Sequence, residues 1–219
     1  MELVAYYQEN AVYVIQQFWQ HFYLFFVSWI LAVVVGLIIA VVATRPGRRS
    51  FGTALLSVTG AAQSIPSIAV IAIVFIFMGI GASPAIAALF LYSLVPITFN
   101  SASGLFGVDA AMKQAARGMG MRNRQILWKI ELPVSVAAIA SGARSAATIN
   151  IGTATIASAI GAGGLGELIF IGLRVNNPTM ILAGAIPAAL MAMLVDTILA
   201  GVERLLTSEG LIKQAEGTI

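Results

Sequence analysis

Arg144 and Asp196 are the charged residues set deepest in the apolar segments of this 219-residue chain, which is 59% hydrophobic and 10% charged. A charge in hydrocarbon is costly, so each must face the interior of a helix bundle and find a partner. Arg144 stands eleven residues beyond Pro133 and Asp196 eight before Arg204. At about 1.5 Å per residue these are depths of about 17 Å and about 12 Å from one face. The chemistry open to them is to pair with each other between two spans, in a structural role more than in contact with a solute. Ser64, Pro66, Asn100, Thr148, Asn150, Thr153, Thr155 and Ser158 also lie in or near apolar segments. Ser64 and Pro66 are candidates for the bundle or a path, and the other six read as interhelical hydrogen-bonding groups, some of which could line a path. No nucleophile with its base and no paired catalytic carboxylates are evident. The single His21 cannot build a histidine metal site, and the absence of cysteine removes thiolate ligands and disulfides. No catalytic residue, cofactor site or metal site is therefore expected. Gly161-Ala162-Gly163-Gly164-Leu165-Gly166 fits G-x-G-x-x-G, but a dinucleotide fingerprint follows a strand and opens a helix in a soluble unit. Here the run follows an apolar span, so it reads as a tight turn in close contact with a neighbour.

The elements that position these residues are membrane helices. A mean hydropathy of +0.95 places the chain in the membrane class, since a soluble protein this apolar would have no surface to wet. Residues 1–20 carry Tyr6, Tyr7, Tyr13, Phe18 and Trp19 with no basic residue, as an interfacial segment in an aromatic belt does. The start MELVAYYQEN has neither the charge nor the cleavage site of a signal peptide. His21 reads as an interface residue without a special role. The first span runs from His21 to about Ala43, and the turn TRPGRRS follows. The second, about Gly52 to Met78, is interrupted at Gln63, Ser64, Pro66 and Ser67, because proline frees a backbone carbonyl that lipid cannot satisfy. The third runs from Pro84 to about Asn100 with a kink at Pro96, the fourth from about Pro133 to Ile160, and the fifth from about Thr179 to Leu206. Leu165 to Asn176 reads as a short helix at the outer interface, with Glu167 and Arg174 as its only charges. These two could meet an incoming protein or simply be solvated at headgroup level. The fold expected is an all-α integral membrane protein with about five transmembrane helices, or six. Its membrane core covers 21–206, and a polar tail covers 207–219.

Sidedness follows from the positive charges. With the N-terminus outside, the inner segments hold Arg45, Arg48, Arg49, Lys113, Arg117, Arg122, Arg124, Lys129, Arg204 and Lys213, whereas the outer segments hold only Arg174. This satisfies the positive-inside rule and puts the C-terminus inside. The net charge of +3 is thereby explained without a nucleic-acid partner.

The longest polar stretch, Asp109 to Pro133, then faces the cytoplasm. Met112, Ala115, Ala116 and Met119 recur at helical spacing and form one apolar face, with Lys113, Gln114 and Arg117 opposite. Gly118 and Gly120 stop this helix, and Asn123 caps a second short one with an Ile126, Leu127 and Ile130 stripe. Pro133 suits the first turn of the next helix. Two alanines on an exposed face let a helix enter a cleft in another protein closely. The plainer alternative is a basic loop on the inner face.

Gln114-Ala115-Ala116, three residues, Gly120, nine residues, Ile130, one residue, and Leu132-Pro133 resemble the EAA signature of ABC importer permeases. The segments QSIPSIAV, GIGASPAIAALFLYSLVPITFN, AARGMGM, IGTATIASAIGAGGLGELIF and LAGAIPAALMAMLVDTILAGVERLL resemble permease subunits of osmoprotectant importers for glycine betaine, carnitine and choline. The resemblance implies a type I ABC importer permease fold in a bacterial cytoplasmic membrane. It implies docking of Gln114, Ala115, Ala116, Gly120, Ile130, Leu132 and Pro133 on a cytoplasmic ATPase subunit, which holds the ATP and Mg. It further implies a second permease subunit, identical or different, and an extracytoplasmic solute-binding protein. Gln114 stands where the family's signature has Glu, so an ion pair to the ATPase becomes a neutral hydrogen bond. No Walker-type phosphate loop occurs in this chain. The alternatives are an ABC permease for another small solute such as an amino acid, an ion-coupled secondary transporter, for which only Asp196 is offered, and a membrane scaffold.

Overall fold

The computed structural model describes residues 2–207, so the tail expected over 207–219, with Lys213, lies from 208 onward outside the described residues. Ten α-helices follow one another: α1 (Glu2–Glu9), α2 (Ala11–Ala43), α3 (Arg49–Ala62), α4 (Ser67–Met78), α5 (Ala82–Gly107), α6 (Ala110–Gly118), α7 (Asn123–Ile126), α8 (Leu132–Ala157), α9 (Leu165–Arg174) and α10 (Pro178–Leu206). Four continuous helical stretches are long and apolar enough to cross a membrane: α2, α5, the run Asn123–Ile160 and α10. The 33 residues of α2 make a rod of about 50 Å, longer than the roughly 30 Å hydrocarbon core.

The second span is broken. Residues 50–62 and 67–78 meet at 99°, a sharper turn than a proline kink. The break follows from Pro66, whose φ of −60° and ψ of 134° are extended. The ring disfavours the helical conformation at the residue before it and supplies no N–H. The chain closes the gap locally, with Ser64 N donating to Ala61 O and Ile65 N donating to Ala62 O.

At the centre, α5 packs along both α2 and α8, while α10 covers α8 and α9, and α4 covers α5. Small residues allow the approach. Ala32, Ala85, Ala88, Ala102, Ala146, Ala147 and Ala154 are all buried. A Cβ on Gly142 would come within 2.7 Å of Asn100 Cβ and 3.2 Å of Pro96 O. With no hydrophobic drive between helices in lipid, close backbone contact of this kind holds the bundle. Conversely Ile38, Val58, Phe77, Leu190 and Leu194 are exposed, as lipid-facing residues are. The third span extends past Asn100 to Gly107 and runs through Pro96 as one helix.

Two sequence readings change here. His21 is not an interface residue: it is fully buried and its Nε2 lies 3.1 Å from Ile151 O. The helix carrying it begins at Ala11, so His21 stands three turns inside, where α8 passes. The second short helix and the fourth span are also not separate elements. A π-helical turn over Leu127–Glu131 fuses them, with Leu132 N donating to Leu127 O. Pro133 has no N–H for the next α-type bond, and the wider turn absorbs that loss without a break.

Candidate functional site

The first half of the Asp109–Pro133 element stands off the bundle. Asp109 caps α6, its Oδ1 accepting from Ala111 N at 2.8 Å. The helix ends in a Schellman motif: Gly120 N donates to Arg117 O at 2.9 Å and Met121 N to Ala116 O at 3.1 Å. Gly120 takes φ +79°, so it and not Gly118, which is still helical, is the stop. Asn123 is also not the cap of α7. Arg122 occupies that position, and Gln125 Oε1 accepts from Arg122 N at 2.8 Å. The apolar face divides. Ala116 is fully buried, whereas Met112 and Met119 are 45% and 74% exposed, and Gln114 and Ala115 are exposed with them. The open face of α6 is therefore built on Ala115 flanked by two methionines, and Ala116 serves its own chain.

The second half is an anchor. Ile126 and Leu127 are buried, Ile130 and Leu132 half-buried, and Pro133 exposed. Leu127 and Leu132 pack with Ala40, Ala102 and Leu105 of α2 and α5. Beside them lies an ion pair that the sequence did not disclose: Arg45 Nη2 is 2.8 Å from Glu131 Oε2, with side chains 23% and 11% exposed. Arg45 Nε also donates to Val41 O at 2.9 Å. The end of α2 is thus tied to the π turn that carries the lever. Glu131 is the acid between Ile130 and Leu132 of the spaced motif, and its position in an otherwise apolar stripe was the available signal.

In the bundle, Arg144 and Asp196 meet as expected. Arg144 Nε donates to Asp196 Oδ1 at 2.7 Å and Nη2 to Oδ2 at 2.8 Å, a bidentate fork. Glu203 joins at 3.4 Å, and Thr148 Oγ1 lies 3.5 Å from Asp196 Oδ1. The pair does not face a sealed interior, however. Both side chains are over a third exposed, 36% and 37%, so it lies on an open face between α8 and α10. The sealed polar group is neutral: Asn150 Nδ2 donates to Ser28 Oγ at 2.9 Å and to Ser93 Oγ at 2.7 Å, joining α8 to α2 and α5. Asn100 Nδ2 instead donates to Pro96 O at 2.9 Å. Ser64 and Pro66 are exposed at the break in the second span. Among the described residues no hydrogen bond joins Ser64, Asn100 and Asn150, and no cluster of metal-ligating side chains is present.

At the opposite end of α8, the glycine run folds back on α2. Gly161, Gly163 and Gly164 have φ of +75°, +72° and +82°. Gly164 N donates to Gln17 Oε1 at 2.6 Å, and Gln20 Nε2 donates to Ala162 O at 2.8 Å. Ser158 Oγ donates to Gly163 O at 2.6 Å. This is a tight turn gripped by a neighbouring helix, with no nucleotide-binding geometry. Beyond it, α9 buries Leu165 and Leu168. Glu167 is not simply solvated, since its Oε2 accepts from Gln17 Nε2 at 3.2 Å. An open pocket of about 660 Å³ lies against α9, the turn and the end of α4.

With this geometry in hand, comparison with known proteins is specific. Residues 16–208 match the profile of the binding-protein-dependent transport system inner membrane component family. The carnitine transport permease protein OpuCB of Listeria monocytogenes is 39% identical over 216 residues, covering 98% of each chain. The glycine betaine/carnitine/choline transport system permease protein OpuCD of Bacillus subtilis strain 168 is 38% identical, over 99% of this chain and 93% of its own. The osmoprotectant import permease protein OsmY of Salmonella typhimurium strain LT2 is 42% identical, over 83% of this chain and 77% of its own. Among solved structures, an inward-facing MetNI methionine ABC transporter aligns with a TM-score of 0.77 at 23% identity, covering 91% of this chain and 99% of that one. An amino acid ABC transporter crystallised with histidines aligns at 0.75 and 17%, covering 93% and 98%. The architecture is that of a type I ABC importer permease, and the chain belongs to the family of binding-protein-dependent transport system inner membrane components.

Proposed function

We propose that this chain is the translocating subunit of an ATP-driven importer for quaternary-ammonium osmoprotectants such as glycine betaine, carnitine or choline. What carries the reading is the split in the coupling element. Ala115, Met112 and Met119 are open to a partner, while Leu127, Leu132 and the Arg45–Glu131 pair fix the same element to α2 and α5. An amphipathic helix presented this way fits a groove in another protein, and its anchor passes displacement into the spans. In this reading the chain catalyses nothing. A cytoplasmic ATPase with ATP and Mg supplies the energy, a solute-binding protein delivers the solute, and a second permease subunit completes the path. The lever end faces the cytoplasm and the glycine turn faces outward, as the basic residues predict. Closure of the ATPase pair moves α6, and the spans rock to open the path on alternate sides. Gln114 gives this docking a neutral hydrogen bond where a carboxylate would give a charged one. The solute class is supported by relatives whose names specify carnitine, choline and glycine betaine transport.

The test is uptake by proteoliposomes holding the permease, its ATPase and its binding protein. ATP-dependent accumulation of glycine betaine, carnitine or choline, unaffected by collapsing ion gradients, is the expected result. Uptake that follows an ion gradient without ATP, or accumulation of an amino acid and none of these solutes, overturns the proposal.

A further inference from the structure

The pocket at the glycine-turn end contains groups that the coupling account does not use. Glu167, Phe170, Ile171 and Arg174 all line it, and they stand at i, i+3, i+4 and i+7 on α9, which puts them on one face. A carboxylate and a guanidinium are therefore set about 10 Å apart along the helix, with an aromatic ring between them. Phe75, from the end of α4, and Gln20, from α2, also line the pocket, with the glycine turn behind them. The acid is positioned: Gln17 Nε2 holds Glu167 Oε2 at 3.2 Å, and Gln17 is itself fixed by Gly164 N. Arg174 is exposed, and among the described residues no acidic group lies within ion-pair distance of it. A volume of about 660 Å³ falls among those of small-molecule sites, roughly 300–1,000 Å³.

We infer that this pocket is a solute site for zwitterions that carry a quaternary ammonium at one end and a carboxylate at the other. The ammonium lies by Glu167 and the faces of Phe170 and Phe75, where ring quadrupoles and a carboxylate attract a cation that cannot donate a hydrogen bond. The carboxylate lies by Arg174, whose planar fork matches it in bidentate fashion. The opposed charges two helical turns apart orient the solute and disfavour a plain cation, which would face Arg174 unpaired. The site lies at the end where a solute would be handed over, on the side away from the ATPase lever. The inference rests on the proposed solute class and adds to it a place in this chain where the solute stops.

Equilibrium binding of radiolabelled glycine betaine and choline to the permease–ATPase complex tests it. The complex is held in nanodiscs of phosphatidylglycerol and phosphatidylethanolamine, so that no lipid supplies a trimethylammonium group. Saturable glycine betaine binding is expected. Glu167→Gln should weaken it about tenfold, because it removes the negative charge that attracts the ammonium. Arg174→Gln should shift the preference for glycine betaine over choline about tenfold toward choline. Phe170→Leu should weaken binding, and Phe170→Tyr should restore it. Arg174 is exposed, so its variant carries the test even where Glu167→Gln fails to assemble. Unchanged affinity and preference in Arg174→Gln, or no binding by a complex that still imports glycine betaine with its binding protein, overturns the pocket and leaves the transport reading standing. A complete system that imports no quaternary-ammonium solute overturns both.

Discussion

The two ends of α8 are built on opposite plans. At the glycine-turn end, the turn itself is held by partners in the same chain: Gln17 and Gln20 grip it, Ser158 holds Gly163, and His21 reaches Ile151 O. At the coupling end, α6 is capped at both ends yet leaves Met112, Ala115 and Met119 open. Its stability comes from local hydrogen bonds, and its apolar face is unspent. A self-satisfied end and an unsatisfied one should respond differently to mutation. Changes at the turn should lower stability, and changes at the lever should lower transport while leaving the fold intact.

The sharpest way to break that contrast is Ala115→Arg. Uptake should fall by at least about 100-fold, because bulk and charge at the centre of a docked face act as at an interface hot spot. Membrane insertion and the thermal midpoint should stay as in the wild type. Ala116→Arg should instead unfold the lever, since Ala116 is fully buried; equal stability in the two variants would erase the distinction. Next, Gly166→Ala should lower the thermal midpoint of the purified protein. A Cβ there would press on the backbone oxygen of Thr155, an overpacking cost of about 1–3 kcal/mol. Transport per folded molecule should hardly change.

The Arg45–Glu131 tie lies between these extremes. Glu131→Ala should cost about 1–3 kcal/mol, less than for a fully buried pair because Arg45 is 23% exposed. It should also raise ATP hydrolysed per solute moved, which a purely structural loss would not do. The exchange Arg45→Glu with Glu131→Arg should recover part of both. The smallest effect is expected at Arg144 and Asp196. Each single reversal should lower the thermal midpoint only slightly, given that both side chains are over a third exposed. The double exchange Arg144→Asp with Asp196→Arg should restore assembly measured by detergent-resistant purification. Failure of the double exchange would mean that Glu203 or Thr148, and not the pair, sets the geometry.

Much of the architecture was legible because lipid constrains it. Apolar runs of span length, the interruption at Pro66 and matched depths for Arg144 and Asp196 all follow from the cost of unsatisfied polar groups in hydrocarbon. The short helix α6 was readable from the spacing of Met112, Ala115, Ala116 and Met119, but which alanine is free was not. Both lie on one helical face, and only the tertiary fold decides which is covered. His21 was misread because helix α2 begins at Ala11, and no local signal marks how far a helix extends beyond the bilayer. The π turn was hidden as well. Pro133 reads as a helix start, and only the packing of Leu127 and Leu132 against α2 and α5 keeps the chain helical through it. Glu131 and Glu203 find their partners in distant segments, which spacing within one segment does not disclose.

The central claim is that the open face around Ala115 is a docking surface for a cytoplasmic ATPase. The chain contains no cysteine, so Ala115→Cys introduces a single thiol. In cells carrying the complete importer, that thiol should react with an impermeant maleimide only from the cytoplasmic side, and a short bifunctional reagent should join it to the ATPase subunit. Labelling from outside the cell, or full cytoplasmic labelling undiminished by the bound ATPase, would contradict the account.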